Sequence, residues 1–128
     1  MNVKEIQAMV DKAYERLESA QKLLEINNYS DSISRSYYAV LDITRALLLT
    51  DGVIPRSHAG TITKFHLLYV KTGKVKIDYG KILTDIEKSR SEADYDFLIK
   101  FTKNDAQGKL LKAKKFVKSV ESLLEKNN

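Results

Sequence analysis

From the start of the chain, apolar side chains recur at alternating three- and four-residue steps: Val3, Ile6, Val10, Ala13, Leu17, Ala20 and Leu24. That spacing leaves one narrow buried seam on a long amphipathic rod and predicts a helix from about Asn2 to Ile26. The seam breaks at Asn27-Asn28-Tyr29. Asn tolerates the left-handed backbone that ends helices, and Ser30 is expected to cap the next helix through its hydroxyl. The second helix, Ser30 to Leu49, has two occupied faces. Ile33, Tyr37, Val40, Thr44 and Leu47 line one, flanked by Leu41 and Leu48; Arg35, Tyr38, Asp42 and Arg45 line the other, and Ser32, Ala39 and Ala46 form a strip of small side chains between them. Packing needs only the first face. The polar stripe is therefore solvated, paired with another chain, or part of a site.

Asp51 to Ser57 reads as a loop from its Gly and Pro content. A third helix is expected over Ala59 to Val70, burying Ile62, Phe65, Leu68 and Tyr69 and closed by Thr72-Gly73-Lys74. A fourth starts around Asp78 as N-cap and runs through Asp94 or a little beyond, with Tyr79, Leu83, Ile86, Ala93 and Phe97 inward and Ile82 beside them. Arg90 falls in the middle of that apolar face. After a loop around Thr102-Lys103-Asn104, a last helix from Asp105 to Lys126 turns Ala106, Leu110, Ala113, Val117, Val120 and Leu124 inward and Lys112, Lys115 and Lys118 outward.

Composition agrees with this all-α reading: one proline and five glycines in 128 residues. The length suits a single domain over 1–128, and no linker, repeat or low-complexity stretch divides it. The absence of cysteine excludes disulfides and thiolate metal sites. Only His58 and His66 are available as imidazoles, so no metal site and no cofactor is expected. No charge-free run exceeds seven residues, against the roughly 18 a membrane span needs. The N-terminus lacks a signal-peptide apolar region, so a cytoplasmic, membrane-free protein is expected.

The net charge of +5 is unevenly placed. Residues 1–50 carry six basic and seven acidic side chains; residues 51–128 carry sixteen and ten. The excess either solvates a lysine-rich surface or favours an anionic partner such as nucleic acid, nucleotide or an acidic protein.

Candidate chemistry centres on Arg90. An inward-facing arginine must be paired or reach water, and Asp94 lies one turn further along the same face. The pair is either structural or a phosphate-binding element, a task suited to a planar guanidinium. The carboxylate follows the cation here, the less favourable order for helix stability, so that stability alone does not explain the pair. His58 follows Arg56-Ser57 at a helix start, where orphan amides favour anions, and reads either as part of an anion site or as a capping or solvent-facing histidine. His66, between Phe65 and Leu67, reads as a packed or surface residue. Tyr37 reads as core, whereas Tyr38, beside Arg35 and Asp42, is placed to stack on a base or to join a second helix. Phosphate-cradling glycine loops and nucleophilic triads are absent.

The string SRSYYAVLDITRALL at 34–48, the loop Ile54-Pro55-Arg56-Ser57-His58-Ala59-Gly60, then Phe65, Thr72-Gly73, Arg90-Ser91-Glu92-Ala93-Asp94-Tyr95 and the Ala113, Phe116-Val117 pattern resemble the HEPN domain family, in its small stand-alone prokaryotic branch. The resemblance implies an up-and-down bundle of four to five helices, a homodimer, and a cleft at its interface lined by polar residues of the fourth helix. It also implies nucleotide or RNA binding and a minimal nucleotidyltransferase partner in a toxin-antitoxin pair. The family's RNase motif is an Arg followed four to six residues later by His. Arg90 matches the arginine, but Tyr95 fills the His position, and a tyrosine with a reference pKa of about 10 is a poor base at neutral pH.

Three readings follow. In the first, a binding module takes a nucleotide or RNA phosphate through Arg90, Asp94, Tyr95, Arg35, Tyr38 and His58. In the second, a metal-independent endoribonuclease uses Arg90 to stabilise the phosphorane and Tyr95 or His58 to move protons. In the third, the Arg35, Tyr38, Asp42 and Arg45 stripe docks another helix without catalysis.

Overall fold

The computed structural model describes residues 3–127. Five α-helices, and no strand among the described residues, follow one another as α1 (Val3–Glu25), α2 (Tyr29–Thr50), α3 (His58–Phe65), α4 (Ile77–Tyr95) and α5 (Lys103–Asn127). A π-helical turn, His66–Val70, continues α3. The all-α bundle expected from the periodicity is what forms. Among the described residues no helix is long and apolar enough to cross a membrane.

The organising element is α2, which packs against α1, α3, α4 and α5. Its small strip explains how one helix can serve so many neighbours. Ser32, Ala39 and Ala46 are fully buried, and the Ser32 hydroxyl donates to the Ala20 carbonyl of α1 at 2.8 Å, a contact only closely spaced helices allow. The α1 seam is buried from Ile6 to Leu24 as its spacing predicts. On the other side of α2, α5 buries Ala106, Leu110, Ala113, Phe116, Val117, Val120 and Leu124. Phe116 meets Phe65 and Tyr79 at centroid distances of 5.7 and 6.0 Å, tying α5 to α3 and α4.

Helix ends depart from expectation for local reasons. Asn27 adopts φ +64°, the left-handed conformation that reverses the chain. The helix restarts directly after it, with Asn28 at the N-cap and no side-chain cap bond, so Ser30 lies inside the first turn and is not the cap. Asp78 is likewise in the first turn of α4, behind Lys76 at the N-cap, where its carboxylate still faces the positive end of the helix dipole. The last helix starts two residues early because Thr102 and Asp105 close a reciprocal box: the Thr102 amide donates to the Asp105 carboxylate at 2.8 Å, and the Asp105 amide to the Thr102 hydroxyl at 3.2 Å.

The third helical segment buries a different set of residues from the one expected. Thr61, Phe65 and Tyr69 are its buried residues, while Ile62 and Leu68 are only half-buried. Its π-helical turn brings His66 against Gly80 of α4. A Cβ at Gly80 would sit 2.8 Å from His66 Cε1, so the absence of a side chain there permits the approach.

Phe97 is the clearest correction. The periodicity places it on the buried face of the fourth helix, yet it is 93% exposed. The helix ends at Tyr95, and the Asp96 side chain accepts from the Leu98 amide at 3.0 Å, turning the chain away before the apolar stripe can continue.

Candidate functional site

Arg90 lies on the buried stripe of α4, in register with Leu83 and Ile86, and is 8% exposed. The sequence pattern predicts this conflict between charge and burial. Its resolution is not the Asp94 pair alone. Arg90 Nη2 donates to both oxygens of Glu87, at 2.8 and 2.9 Å, while Nη1 lies 3.5 Å from Asp94. Glu87 precedes the arginine by three residues, so the helix does contain the favourable acid-before-base order. Below the guanidinium is the fully buried ring of Tyr37, with the guanidinium carbon 4.7 Å from the ring centroid, within cation–π range.

The electrostatics follow from this arrangement. Burial works against the Arg90 charge, but the Glu87 bond and field outweigh it and hold the pKa above its ordinary value. Burial, reinforced by the Glu87 carboxylate, pushes the Tyr37 hydroxyl well up; that hydroxyl nevertheless makes no hydrogen bond of ordinary geometry. Glu87, Arg90 and Tyr37 thus form a fixed unit behind the surface.

In front of it is an open groove of about 360 Å³ lined by Arg16 and Leu23 of α1, Asp31, Ser34, Arg35 and Tyr38 of α2, and Asp94 of α4. The volume is that of an ordinary small-ligand site. Ser34 donates to Asp94 at 2.7 Å, closing the wall between α2 and α4. Arg16 Nε donates to Asp42 at 3.2 Å, and its guanidinium carbon stands 5.5 Å over the Tyr38 ring. Burial raises the pKa of Asp42, and the Arg16 bond partly offsets that rise. Arg35 is exposed and, unlike Arg16 and Arg90, is in no ion pair among the described residues.

His58 is the first residue of α3, placed there by Ser57, whose hydroxyl accepts from the Gly60 amide at 2.9 Å. The imidazole meets Tyr37 and Tyr38 at centroid distances of 5.9 Å each, and the two tyrosines meet edge to face at 5.2 Å. Burial, then the charges of Arg45 and Arg90, lower the His58 pKa and favour the neutral ring. The folded state therefore binds this proton less tightly than the unfolded chain. Stability from His58 is complete above the unfolded value of about 6.5 and declines as pH falls toward the lowered folded value. Thermal unfolding across pH 5 to 7 is expected to show that decline, and His58→Gln to flatten it.

A family model for the HEPN domain matches residues 6–123. The chain belongs to the HEPN domain family. A Methanocaldococcus jannaschii relative bearing the name "Putative toxin MJ0605" is 37% identical over 121 residues, covering 94% of this chain and 90% of the relative. A UPF0332 protein of Thermotoga maritima is 33% identical over 127 residues, covering 98% and 96%. In fold, the HEPN chain is similar to TT1696 from Thermus thermophilus, with a TM-score of 0.80 at 19% identity, over 95% of this chain and 98% of that one.

Within this HEPN fold, the residues singled out from sequence separate into three places. Arg35, Tyr38 and Asp94 share the groove. Arg90 stands behind it and His58 beside it, both reached through the tyrosine rings. Tyr95 is 72% exposed and its side chain makes no hydrogen bond, ion pair or ring contact among the described residues; it is not brought to Arg90. Sequence reasoning misses Glu87, Arg16 and Ser34. The three-residue spacing of Glu87 and Arg90 is an available signal, whereas Arg16 and Ser34 acquire meaning only when α1, α2 and α4 meet.

Proposed function

We propose that this HEPN protein is a toxin-type module whose groove binds the phosphate of a nucleotide or an RNA strand, and that it acts with a minimal nucleotidyltransferase partner. The observation that carries this reading is the convergence of Arg35, Tyr38 and Asp94 in one open groove, with Arg35 outside any ion pair among the described residues. Arg35 supplies a guanidinium for phosphate, and Tyr38 an aromatic ring against which a base stacks. Arg90, clamped by Glu87, acts as a positioning residue that fixes Asp94 and the Tyr37–Tyr38 pair. Relatives bearing toxin names support the toxin-type assignment.

The module works as a homodimer in this reading. Tyr95, Phe97 and Leu98, respectively 72%, 93% and 93% exposed, cluster just past Asp94 at the end of α4, and a second copy covering them extends the groove across the interface. Titration of the purified protein with a labelled twelve-nucleotide RNA and with ATP at low salt, paired with light scattering at micromolar concentration, is the test. Binding by a dimer is expected. No binding of either ligand where phosphate contacts are strongest sinks the groove reading, and a monomer sinks the shared cleft.

One observation favours a second reading, a metal-independent endoribonuclease: the His58 imidazole packs on Tyr38 of the groove wall, which places a candidate general base beside the groove. In that case RNA incubated without metal is cut, and His58→Gln abolishes cutting while leaving RNA affinity within about twofold.

A further inference from the structure

The end of the bundle away from the groove carries a second built feature. Tyr79 lies fifteen residues before Asp94 on α4, a separation of about 22 Å along the helix, so this end is distinct from the groove. Here Val75, Tyr79, Val120 and Leu123 floor a cavity of about 190 Å³, rimmed by Lys74, Lys76 and Lys126. A neighbouring cavity of about 450 Å³ shares Lys74 and Leu123 with it and is completed by Thr50, Asp51 and Tyr69. The three lysines are exposed and are in no ion pair among the described residues; Lys74 lies 5.6 Å over the Tyr69 ring.

We infer that this pair of cavities is a docking surface for an acidic segment of a partner protein, which inserts an apolar side chain into the smaller, mainly apolar one and lays its carboxylates on the lysine rim. The smaller cavity has the size of one large aliphatic or aromatic side chain. Each hydroxyl of its lining already has a partner. The Ser119 hydroxyl pairs with the Tyr79 hydroxyl at 2.9 Å, and the Ser122 hydroxyl donates to the Lys118 carbonyl at 3.1 Å. The rest of the floor is Val75, Val120 and Leu123, which suits an apolar peptide anchor better than the polar edge of a nucleobase.

Charge gives the orientation. Asp51 lines the larger cavity and accepts from the Tyr69 hydroxyl, so it repels a carboxylate there. Acidic groups of the partner are directed to the Lys76 and Lys126 side. The basic excess of residues 51–128, sixteen against ten, adds attraction over a longer range. This surface stands whatever the groove binds, because it shares no residue with it.

The test uses the full chain and a fluorescent eight-residue peptide carrying Leu and Phe between runs of Asp and Glu, read by polarisation at 50 mM salt. Saturable binding is expected, weakened about tenfold in Lys76→Glu/Lys126→Glu. Both positions are exposed, and circular dichroism establishes that the variant folds. Binding is also expected to be lost when Leu and Phe in the peptide become Ser. The inference is overturned if the peptide fails to bind, if the Ser peptide binds equally well, or if the double variant retains full affinity. It is overturned as well if a twelve-nucleotide RNA displaces the peptide and loses its own affinity in the same variant, since the lysines then serve nucleic acid.

Discussion

Replacing Glu87 by Ala is expected to lower stability by about 2 kcal/mol, less than breaking a fully buried ion pair costs because Glu87 is partly exposed. Arg90 is 8% exposed, and Glu87 receives two of its hydrogen bonds at 2.8 and 2.9 Å. Without Glu87 the guanidinium keeps Asp94 at 3.5 Å and the Tyr37 ring, while its Nε is without a partner even in the native chain. For a chain of this length the loss corresponds to a fall in Tm of about 7 °C. The partner experiment is Glu87→Ala/Arg90→Leu. If the cost comes from an uncompensated buried charge, removing that charge returns most of the stability. A single variant that unfolds within about 2 °C of wild type, or a double variant no more stable than the single, contradicts the account. The double variant also separates stability from function: if Arg90 positions the groove, the folded double variant binds RNA more weakly although its core is restored.

The same cluster shows what is legible in the sequence. The seams of α1, α2 and α5 are readable because burial in a helix imposes a 3.6-residue period on residues of low polarity, and the pattern from Ile6 to Leu24 has no competing explanation. Arg90 is readable for the opposite reason: it breaks the stripe between Ile86 and Ala93 without ending the helix. Glu87 escapes notice because an acidic residue on the polar side of a helix is the commonest observation there is, and only its contact with a buried cation makes it structural. Phe97 is misplaced because the stripe, continued by arithmetic, ignores Asp96, whose side chain stops the helix locally. The groove is half legible. Arg35, Tyr38 and Asp94 stand out within single helices, while Arg16 and Ser34 depend on how three helices cross, which no local period encodes.

Reversing the charge of Arg35 tests the groove most sharply. Arg35 is exposed and outside any ion pair among the described residues, whereas Arg16 is held by Asp42 and Arg90 by Glu87. It is thus the groove cation that gives up no internal partner on meeting a phosphate. Asp31 and Asp94 share the same walls, so a phosphate there depends on Arg35 to offset them, and a glutamate at 35 adds a third repulsive carboxylate. Arg35→Glu is expected to weaken RNA binding at low salt about a hundredfold, equivalent to about 2.7 kcal/mol. The slope of log affinity against log salt is expected to flatten by about 0.7, the value for one single-strand phosphate contact. Being exposed, the substitution shifts stability by no more than about 0.5 kcal/mol, so lost binding cannot be assigned to unfolding. Tyr38→Leu is expected to cost about tenfold while leaving the salt slope unchanged, because stacking carries no counterion term. Lys112→Glu, on the outer face of α5, provides the control: a loss equal to that of Arg35→Glu would mean that RNA senses only the overall positive charge, and the groove would then have no special claim on phosphate.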